Sequence, residues 1–427
     1  MEEEKVYLRR IADELLELQL EAAGVVLVEG AKWCGKTTTA LQQAKSVLFM
    51  DEPRRKEEYQ RLAESDIEVL LEGKPPRLID EWQKAPQFWD ACRYVVDRRD
   101  ADGQFILTGS AEPVDQSKMS HTGTGRVGWV KMRPMTLFES GESNGSVSLG
   151  ALFDNRFKPA EGNELNLRAL CYLICRGGWP KAIGKSERAA LRQAFNYVDA
   201  VAKREIVEVD KVHRSEANTR RLLRSYARHQ ASQATNGTIA ADLKTNDGNT
   251  LNDATITSYL NALRKIFVIE DMEAWNPNLR SKAAIRTTDT RYFVDPSIAT
   301  ASLGLGPNDL MKDLNTLGLL FETLVVRDLR VYAEALDGNV YHYRDNNGLE
   351  CDSVLHLRNG HYGLVEIKLG GESLIKEGAA NLRSLAKKID TDKMYAPSFM
   401  MVVVGIGRYA YRREDGVLVV PIGCLKY

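Results

Sequence analysis

Cysteine and histidine are scarce in this chain of 427 residues, which has six of each. The cysteines form no Cys-x-x-Cys pair, so a zinc site is not expected and each cysteine is interpreted as a small buried hydrophobic residue. They are Cys34, Cys92, Cys171, Cys175, Cys351 and Cys424. Free cysteines of this kind are typical of proteins in a reducing cytoplasm.

Long apolar runs and an excess of one charge are also lacking. No apolar stretch approaches the roughly 20 residues needed to span a bilayer, and residues 2–5 are charged rather than apolar. With 58 basic and 59 acidic side chains the net charge is -1, so polyanion binding would need local basic patches. At 44% hydrophobic residues the chain can bury several cores. We expect a cytoplasmic protein without a membrane segment and with about two to four domains.

A glycine-rich loop lies between a predicted strand and a predicted helix near the start of the chain. Residues 24–29 are a short Val-rich run, and Gly30 to Thr37 then match the pattern GxxxxGK[ST] in full. Glycines let such a loop wrap around phosphates, and N–H groups at the helix N-terminus bind the anion. Lys36 is expected to reach the β- and γ-phosphates, and Thr37 to ligate Mg²⁺. The predicted ATP-binding residues are Gly30, Ala31, Lys32, Trp33, Cys34, Gly35, Lys36, Thr37 and Thr38.

Other segments of the first 110 residues support this interpretation. Asp80 and Glu81 follow an apolar strand, where Asp80 would hold the Mg²⁺ shell and Glu81 would polarise the attacking water. An acidic pair is usually a solvated strand end, but an upstream P-loop reverses that expectation. The next strand ends at Thr108, which could sense the γ-phosphate or belong to an ordinary Thr-Gly turn. Before the loop, residues 6–20 are predicted to form an amphipathic helix. Its apolar face is predicted to contain Leu8, Ile11, Leu15 and Leu18.

Together these motifs resemble the AAA-type ATPases of bacteria and archaea that carry a DUF4143 region, the AAA_14/DUF4143 family. The shared segments are the P-loop, LIDEWQKAP at 78–86, FILTGSA at 105–111, GTGRVGWVKMRPMTLFE at 123–139 and GGWPKAI at 177–183. The chain departs from the family at Ala31, where the common form has Pro, and this leaves nucleotide preference open. The resemblance implies an AAA-type parallel-sheet domain and Mg²⁺-dependent hydrolysis of ATP.

Two arginines of segment 123–139 are candidates for an arginine finger, the group that stabilises γ-phosphate charge. The resemblance favours Arg126 over Arg133, because Gly125 and Gly128 would let the loop approach a ligand closely. Such a finger can raise the rate roughly 10³-fold or more. The alternative is a surface arginine paired with a carboxylate. AAA-type sites are commonly completed by a neighbouring subunit, so we expect a homo-oligomer, with a ring of six as the leading expectation.

The middle of the chain is predicted to form a helical lid or linker region at 141–235 and a winged helix at 236–300. In the first part, three arginines share a helix face that could meet phosphates or solvent: Arg220, Arg224 and Arg228. In the second part, two helices are followed by a strand, a basic loop and another strand. The loop contains Arg280, Lys282 and Arg286. A winged helix suits duplex DNA, but it also serves as a protein docking module.

Residues 301–427 are predicted to follow the order helix, three strands, helix, strand. In the third strand Glu366 and Lys368 lie on one face, and hairpin pairing can bring Asp352 beside them. Such a set can form a site for phosphodiester hydrolysis, in which carboxylates hold Mg²⁺ or Mn²⁺ and the lysine orients or activates water. This region is similar to the PD-(D/E)XK nuclease superfamily, and Glu322 matches the helical glutamate and metal ligand of some members. The alternative is a degenerate domain in which Glu366 and Lys368 form a surface salt bridge.

The sequence therefore predicts an α/β protein with an AAA-type parallel-sheet ATPase core at 1–140 and a restriction-endonuclease-like α/β domain at 301–427. The leading hypothesis is a Mg²⁺-dependent ATPase coupled to a DNA-binding or DNA-cleaving domain. The alternative is a nucleotide-switched module whose inactive nuclease fold docks a protein partner. The intact Asp352, Glu366 and Lys368 set favours the first hypothesis, and the near-neutral net charge favours the second.

Overall fold

A computed structural model describes residues 7–111, 125–248, 250–278, 280 and 285–427. These residues form two units, each with its own internal contacts. The first contains the described residues up to Pro134, together with 203–214 and 261–268, and the second contains 135–202, 215–260 and 269–427. The predicted loop residue Lys282 and the start of segment 123–139 lie outside the described residues. No helix within the described part of the chain is long and apolar enough to cross a membrane.

A parallel five-stranded sheet forms the centre of the first unit. The elements up to residue 134 are α1 (Ile11–Ala22), β1 (Val25–Gly30), α2 (Lys36–Gln43), β2 (Ser46–Phe49), α3 (Lys56–Ser65), α4 (Ile67–Leu71), β3 (Arg77–Asp80), α5 (Phe88–Arg99), β4 (Phe105–Gly109) and β5 (Val127–Met132). The strand order is β2-β3-β4-β1-β5, and every neighbouring pair is parallel. Val25 and Leu27 enter one apolar core while Val26 and Val28 enter another. The sheet is therefore covered on both faces, which explains why β1 is apolar without alternation.

The second unit contains helices and a mixed seven-stranded sheet. The elements from residue 135 onward are β6 (Val147–Ser148), α6 (Leu149–Phe153), β7 (Ala160–Glu161), α7 (Leu167–Arg176), α8 (Glu187–Ala200), α9 (Ile206–Glu208), α10 (Glu216–Arg228), α11 (Asn236–Asp247), α12 (Asp253–Lys265), α13 (Pro296–Leu303), α14 (Pro307–Leu310), α15 (Leu314–Ala335), β8 (Gly338–Arg344), β9 (Glu350–Leu357), β10 (Tyr362–Lys368), α16 (Glu372–Lys388), β11 (Phe399–Val404), β12 (Tyr409–Arg412), β13 (Leu418–Pro421) and β14 (Leu425–Lys426). The sheet has the order β7-β12-β13-β11-β10-β9-β8. Of these elements, α9 and part of α12 belong to the first unit.

The element order predicted for the C-terminal region is present as α15, β8, β9, β10, α16 and β11. Strand β10 pairs antiparallel with β9 and parallel with β11. Strands β13 and β12 extend the sheet beyond the predicted set. Because an element order alone does not define a fold family, the restriction-endonuclease-like fold stays a prediction.

The region predicted to be a winged helix has the expected helices, α11 and α12. The segments that should form its strands are joined only by isolated bridges, such as Ile269 with Phe293 and Met272 with Thr290. The boundary between the two units also falls within α12. A winged helix is therefore not established by these residues.

The arginine stripe on α10 is paired with carboxylates. Arg220 pairs with Asp199 at 2.7 Å, Arg224 with Asp247 at 2.9 Å and Arg228 with Asp242 at 2.6 Å. Because each guanidinium already has an acidic partner, the stripe is not the exposed basic surface that phosphate binding would need.

Helix α1 begins later than predicted and buries a different face. Leu8 and Leu18 are 40% and 53% exposed, so the prediction for these two residues was wrong. The buried residues of α1 are Ile11, Ala12, Asp13 and Leu16. A buried polar residue such as Asp13 is stabilised by hydrogen bonds, and a pattern of hydrophobic residues does not predict its burial.

A buried ion cluster connects α15 with three other segments of the second unit. Arg327 Nη1 donates to Asp295 Oδ2 at 2.9 Å, and its Nε donates to Asp328 Oδ1 at 2.8 Å. Asp295 also accepts from the backbone N–H of Gly178, and Asp328 accepts from that of Leu137. Because buried charges are tolerated only when they are paired and hydrogen-bonded, Arg327 holds both carboxylates in place.

We predict that Arg327→Met lowers the free energy of unfolding by roughly 3–5 kcal/mol, because it leaves two buried carboxylates uncompensated. Denaturant-induced unfolding followed by circular dichroism measures this. The matched control is Arg168→Met, which removes a pair with Glu187 whose side chains are 57% and 51% exposed. Its effect should stay below about 1 kcal/mol. Equal effects of the two substitutions would show that the buried cluster is dispensable.

Candidate functional site

The loop after β1 has the backbone geometry that phosphate binding needs. Gly30 and Gly35 have φ angles of 146° and 108°, values that favour glycine. A Cβ on Gly30 would lie 2.0 Å from the carbonyl oxygen of Met132 on β5, so no side chain fits there. Gly35 is the N-cap of α2, and the N–H groups at this helix end therefore open into the loop, where they can bind an anion.

Lys36, the first residue of α2, is 6% exposed and contacts the loop itself. Its Nζ donates to the carbonyl oxygens of Gly30 at 2.8 Å and Ala31 at 2.9 Å. The ammonium group is thus positioned within the loop that would surround the phosphates, where a P-loop lysine acts.

Asp80, at the end of β3, accepts hydrogen bonds from two threonine hydroxyls. Thr37 Oγ1 lies 2.7 Å and Thr108 Oγ1 lies 2.6 Å from Asp80 Oδ1. Asp80 is also the register partner of Thr108 in the parallel pair β3–β4. The carboxyl ends of parallel strands meet at one edge of the sheet, so the structure brings together three residues that are far apart in the sequence.

These residues fit a bound Mg²⁺. No group of three or more His, Cys, Asp or Glu side chains within the described ranges could hold a metal ion. A Mg²⁺ ion at a P-loop does not need such a group, because it takes one or two protein oxygens and completes its shell with waters and phosphate oxygens. Thr37 Oγ1 and Asp80 Oδ1, which are 2.7 Å apart, can supply those protein oxygens.

Glu81 has a φ of 58°, which is uncommon for a residue with a side chain and is often found at functional sites. Its Oε2 accepts from the Ser110 hydroxyl at 3.1 Å and from the Gln83 amide at 2.5 Å. Neither residue was among the predicted site residues, although Gln83 belongs to the motif LIDEWQKAP and Ser110 to the motif FILTGSA. The carboxylate is held beside Asp80, which suits a group that orients a water molecule.

Sequence reasoning missed two residues that contact the loop from distant segments. Arg10 Nη1 donates to the carbonyl oxygen of Cys34 at 2.8 Å. Lys32 Nζ lies 2.5 Å from Glu205 Oε2, within the segment 203–214 of the same unit. Neither Arg10 nor Glu205 belongs to a recognisable motif, so no local signal marks them.

Arg126 lies at one end of the parallel strands, and the P-loop lies at the other end. The carbonyl oxygen of Arg126 accepts from Val25, the first residue of β1, at 3.0 Å. The parallel pair β1–β5 reaches the loop only at Gly30 and Met132, about 17 Å further along the strands at ~3.3 Å per residue. Arg126 Nε donates to Asp97 Oδ1 at 2.8 Å, and its side chain is 50% exposed. Arg126 therefore does not reach the P-loop of its own chain, and a role at a neighbour's site stays a prediction.

Two other residues of segment 123–139, Arg133 and Gly128, do not lie as the preference for Arg126 assumed. Arg133 directly follows β5 at the P-loop edge and is 8% exposed, so it lies nearer to the loop than Arg126 does. Gly128 does not open the loop to a ligand, because it lies in β5 and a Cβ there would be 2.3 Å from Gln19 Oε1. The packing of α1 on β5 therefore explains why position 128 is a glycine.

The second predicted site is assembled in the C-terminal region. Lys368 Nζ lies 2.7 Å from Glu366 Oε2 and 3.2 Å from Asp352 Oδ2. Asp352 Oδ2 also accepts from the backbone N–H of Ile367 at 2.7 Å. Tyr292 donates its hydroxyl to Glu322 Oε1 at 2.5 Å, and burial followed by the charge of Asp352 raises the pKa of Glu322 well above its usual range. The predicted residues are thus close together.

This cluster does not fit a divalent metal ion as it stands. Glu366 is 1% exposed, and burial together with the charge of Asp352 raises its pKa to about 8. Burial alone would lower the pKa of Lys368, but the charges of Asp352 and Glu366 raise it instead. The Lys368 ammonium contacts both carboxylates, and of the Lys368–Glu366 pair Glu366 is buried and Lys368 is partly buried. The salt bridge of the alternative hypothesis is therefore present but does not lie at the surface, and a metal ion at this cluster stays a prediction.

Three segments match the sequence models of known families. Residues 22–140 match an AAA domain, the AAA_14 model, residues 167–309 match the domain of unknown function DUF8612, and residues 317–425 match the domain of unknown function DUF4143. With the loop geometry above, the first match supports an AAA-type ATPase domain at residues 22–140. The DUF4143 match agrees with the resemblance drawn from the motifs.

Two relatives match over most of their length. They are uncharacterized proteins of Mycobacterium bovis and Mycobacterium tuberculosis, each 24% identical over 417 residues, which is 97% of this chain and 83% of theirs. Among solved structures, the Walker-type ATPase PABY2304 of Pyrococcus abyssi is 15% identical, with a TM-score of 0.43 over 70% of this chain and 97% of that one. A TM-score of this size does not establish a common overall fold.

Proposed function

We propose that the protein binds ATP with Mg²⁺ and hydrolyses it at the loop Gly30–Thr37. The hydrogen bonds of Thr37 and Thr108 to Asp80, at 2.7 and 2.6 Å, support this most directly. Loop N–H groups and the Lys36 ammonium would bind the phosphates, and Thr37 and Asp80 would hold Mg²⁺. When bound, the metal ion neutralises charge that develops on the phosphates.

Glu81 is proposed to orient the attacking water and to accept its proton. Ser110 and Gln83 both donate to Oε2, and this fixes the carboxylate while leaving Oε1 to face the water. A positioned general base typically contributes 10²–10⁴-fold, that is about 3–5 kcal/mol of barrier.

We predict that Glu81→Gln retains ATP binding but hydrolyses ATP about 100-fold more slowly or worse, because the amide cannot accept the proton. Nucleotide titration and phosphate release measure the two steps separately. Lys36→Ala serves as the binding-deficient reference, and Glu72→Gln, at an exposed position, as the matched control. If Glu81→Gln released phosphate as fast as Glu72→Gln, Glu81 would not be the general base. If the wild type released no phosphate, the protein would not hydrolyse ATP.

A homo-oligomer, with a ring of six as the leading arrangement, is proposed to complete the site. The exposed position of Arg126 at the edge opposite its own P-loop suits a residue that acts on a neighbouring subunit. A finger in trans stabilises transition-state charge and contributes little to ground-state binding.

We predict that Arg126→Ala lowers turnover by about 10³-fold and leaves ATP affinity nearly unchanged. The control is Asp97→Ala, which removes the ion pair with Arg126 but keeps the arginine. If Arg126 were only a surface partner of Asp97, the two substitutions would have equal effects. Light scattering measures the mass with and without nucleotide, and a monomer in every state would contradict the assembly.

For the C-terminal region, the cluster favours an inactive nuclease-like domain over a DNA-cleaving one. We propose that this domain docks a protein partner in a nucleotide-dependent manner. Lys368 bridges Asp352 and Glu366, and helix α16 lies directly over Glu366, since a Cβ on Gly378 would be 3.2 Å from Glu366 Cβ. The neutralised arginine stripe and the net charge of -1 agree with this reading.

We predict no nicking of supercoiled or branched DNA above background in Mg²⁺ or Mn²⁺, with or without ATP. Agarose-gel assays of the wild type and Glu366→Gln should give the same result, because Glu366 is buried and bonded to Lys368. A restriction enzyme in parallel confirms that the assay detects cleavage. Metal-dependent nicking by the wild type that Glu366→Gln abolishes would overturn the proposal and restore the nuclease hypothesis.

A further inference from the structure

We propose that Arg10 is a positioning residue that holds the phosphate loop in its anion-binding conformation. The inference rests on the proposed binding of ATP at that loop. Arg10 lies just before α1, outside every motif of the ATPase, and is 4% exposed. Its guanidinium donates from Nη1 to the carbonyl oxygen of Cys34 at 2.8 Å and from Nη2 to that of Arg133 at 2.9 Å. One buried side chain thus connects the loop to the end of the neighbouring strand.

The contact with Cys34 sets the direction of a specific N–H group. The carbonyl of Cys34 and the N–H of Gly35 belong to one planar trans peptide, so they point in opposite directions. A donor that binds the carbonyl from within the protein therefore turns the Gly35 N–H the other way. Gly35 is the N-cap of α2, and its N–H belongs to the set that would contact phosphate. Arg10 thereby orients a phosphate-binding group without touching the phosphate.

The other inward-facing carbonyls show why a second cation is needed. The carbonyl oxygens of Gly30 and Ala31 accept from Lys36, a residue whose ammonium is also required by the phosphates. The carbonyl of Cys34 has a donor that is independent of nucleotide. A buried carbonyl left without a partner is destabilising, and a loop without Arg10 would relieve this by rotating the peptide. That rotation would move the Gly35 N–H away from the anion.

Arg10 is itself held in place by the start of α1. Its backbone N–H donates to Asp13 Oδ2 at 2.7 Å, and Asp13 Oδ1 accepts from the Tyr7 hydroxyl at 2.8 Å. The Tyr7 hydroxyl also lies 2.9 Å from Thr39 Oγ1 on α2. This chain of contacts joins α1 to the helix that begins at the P-loop. A guanidinium donates from two separate nitrogens in one fixed plane, here to Cys34 and Arg133, whereas a lysine has a single donor atom, so lysine is not equivalent at position 10.

The test compares Arg10→Met, which keeps the apolar stem but removes the donors, with Arg10→Lys and Arg9→Met. Arg9 is the matched control, because its side chain is 70% exposed and pairs with Glu14. Arg10→Met should weaken ATP binding and raise KM by about ten- to a hundredfold, the loss expected for a charge-assisted hydrogen bond. Arg10→Lys should lie between Arg10→Met and the wild type, and Arg9→Met should match the wild type. The value of kcat should change far less, because Asp80 and Glu81 do not contact Arg10.

Amide hydrogen exchange provides a readout that does not depend on nucleotide. In Arg10→Met, exchange in residues 30–37 should be about tenfold faster while exchange in α5 stays unchanged. If Arg10 only stabilised the fold, both regions would exchange faster together, and the Kd of the folded protein for ATP would not change. Either result overturns the inference. A wild type that binds no ATP would overturn the proposed function instead, and the exchange pattern would still decide the role of Arg10.

Discussion

A phosphate loop has to turn its N–H groups toward the ligand, and this forces carbonyl groups toward the protein. Each of those carbonyls needs a donor, because an unpaired buried carbonyl is costly. In this chain two cations supply donors, Lys36 for Gly30 and Ala31 and Arg10 for Cys34. The geometry of the nucleotide site depends on this requirement as much as on the glycines that permit the backbone conformation.

The parallel sheet of the first unit provides the second condition for the site. Three strands end at one edge, so that the P-loop, Asp80 and Thr108 meet although they belong to different parts of the sequence. The hydroxyl groups of Thr37 and Thr108 fix Asp80 Oδ1 before any ligand binds. A site arranged in this way has little reorganisation left when a metal ion and phosphates arrive, which is the source of electrostatic preorganisation.

The predictable part of the site consists of residues whose roles follow from short motifs and from the rule that parallel strands share an edge. The loop, Asp80 and Thr108 were predicted in this way, and the structure brings them together. Arg10 was missed because its contacts with Cys34 and Arg133 depend on tertiary packing. The position of Arg126 was not predictable either, since a Gly-Arg step does not reveal which end of a strand it occupies. For α1 the hydrophobic pattern failed where a hydrogen-bonded acid, Asp13, took a buried position.

The two carboxylate clusters show how one type of sequence pattern leads to different chemistry. Asp80 and Glu366 each lie at or near the end of a strand. Asp80 is half-buried and receives hydrogen bonds from hydroxyl groups, which do not neutralise its charge and leave it suited to a cation. Glu366 is 1% exposed, and its partner is the ammonium of Lys368, so the charge that a metal would supply is already present. Gly378 explains how helix α16 can approach so closely, because a larger side chain would meet Glu366 there. The two carboxylates differ because helix α16 packs over Glu366. The three-residue motif Asp352, Glu366 and Lys368 carries no information about that helix.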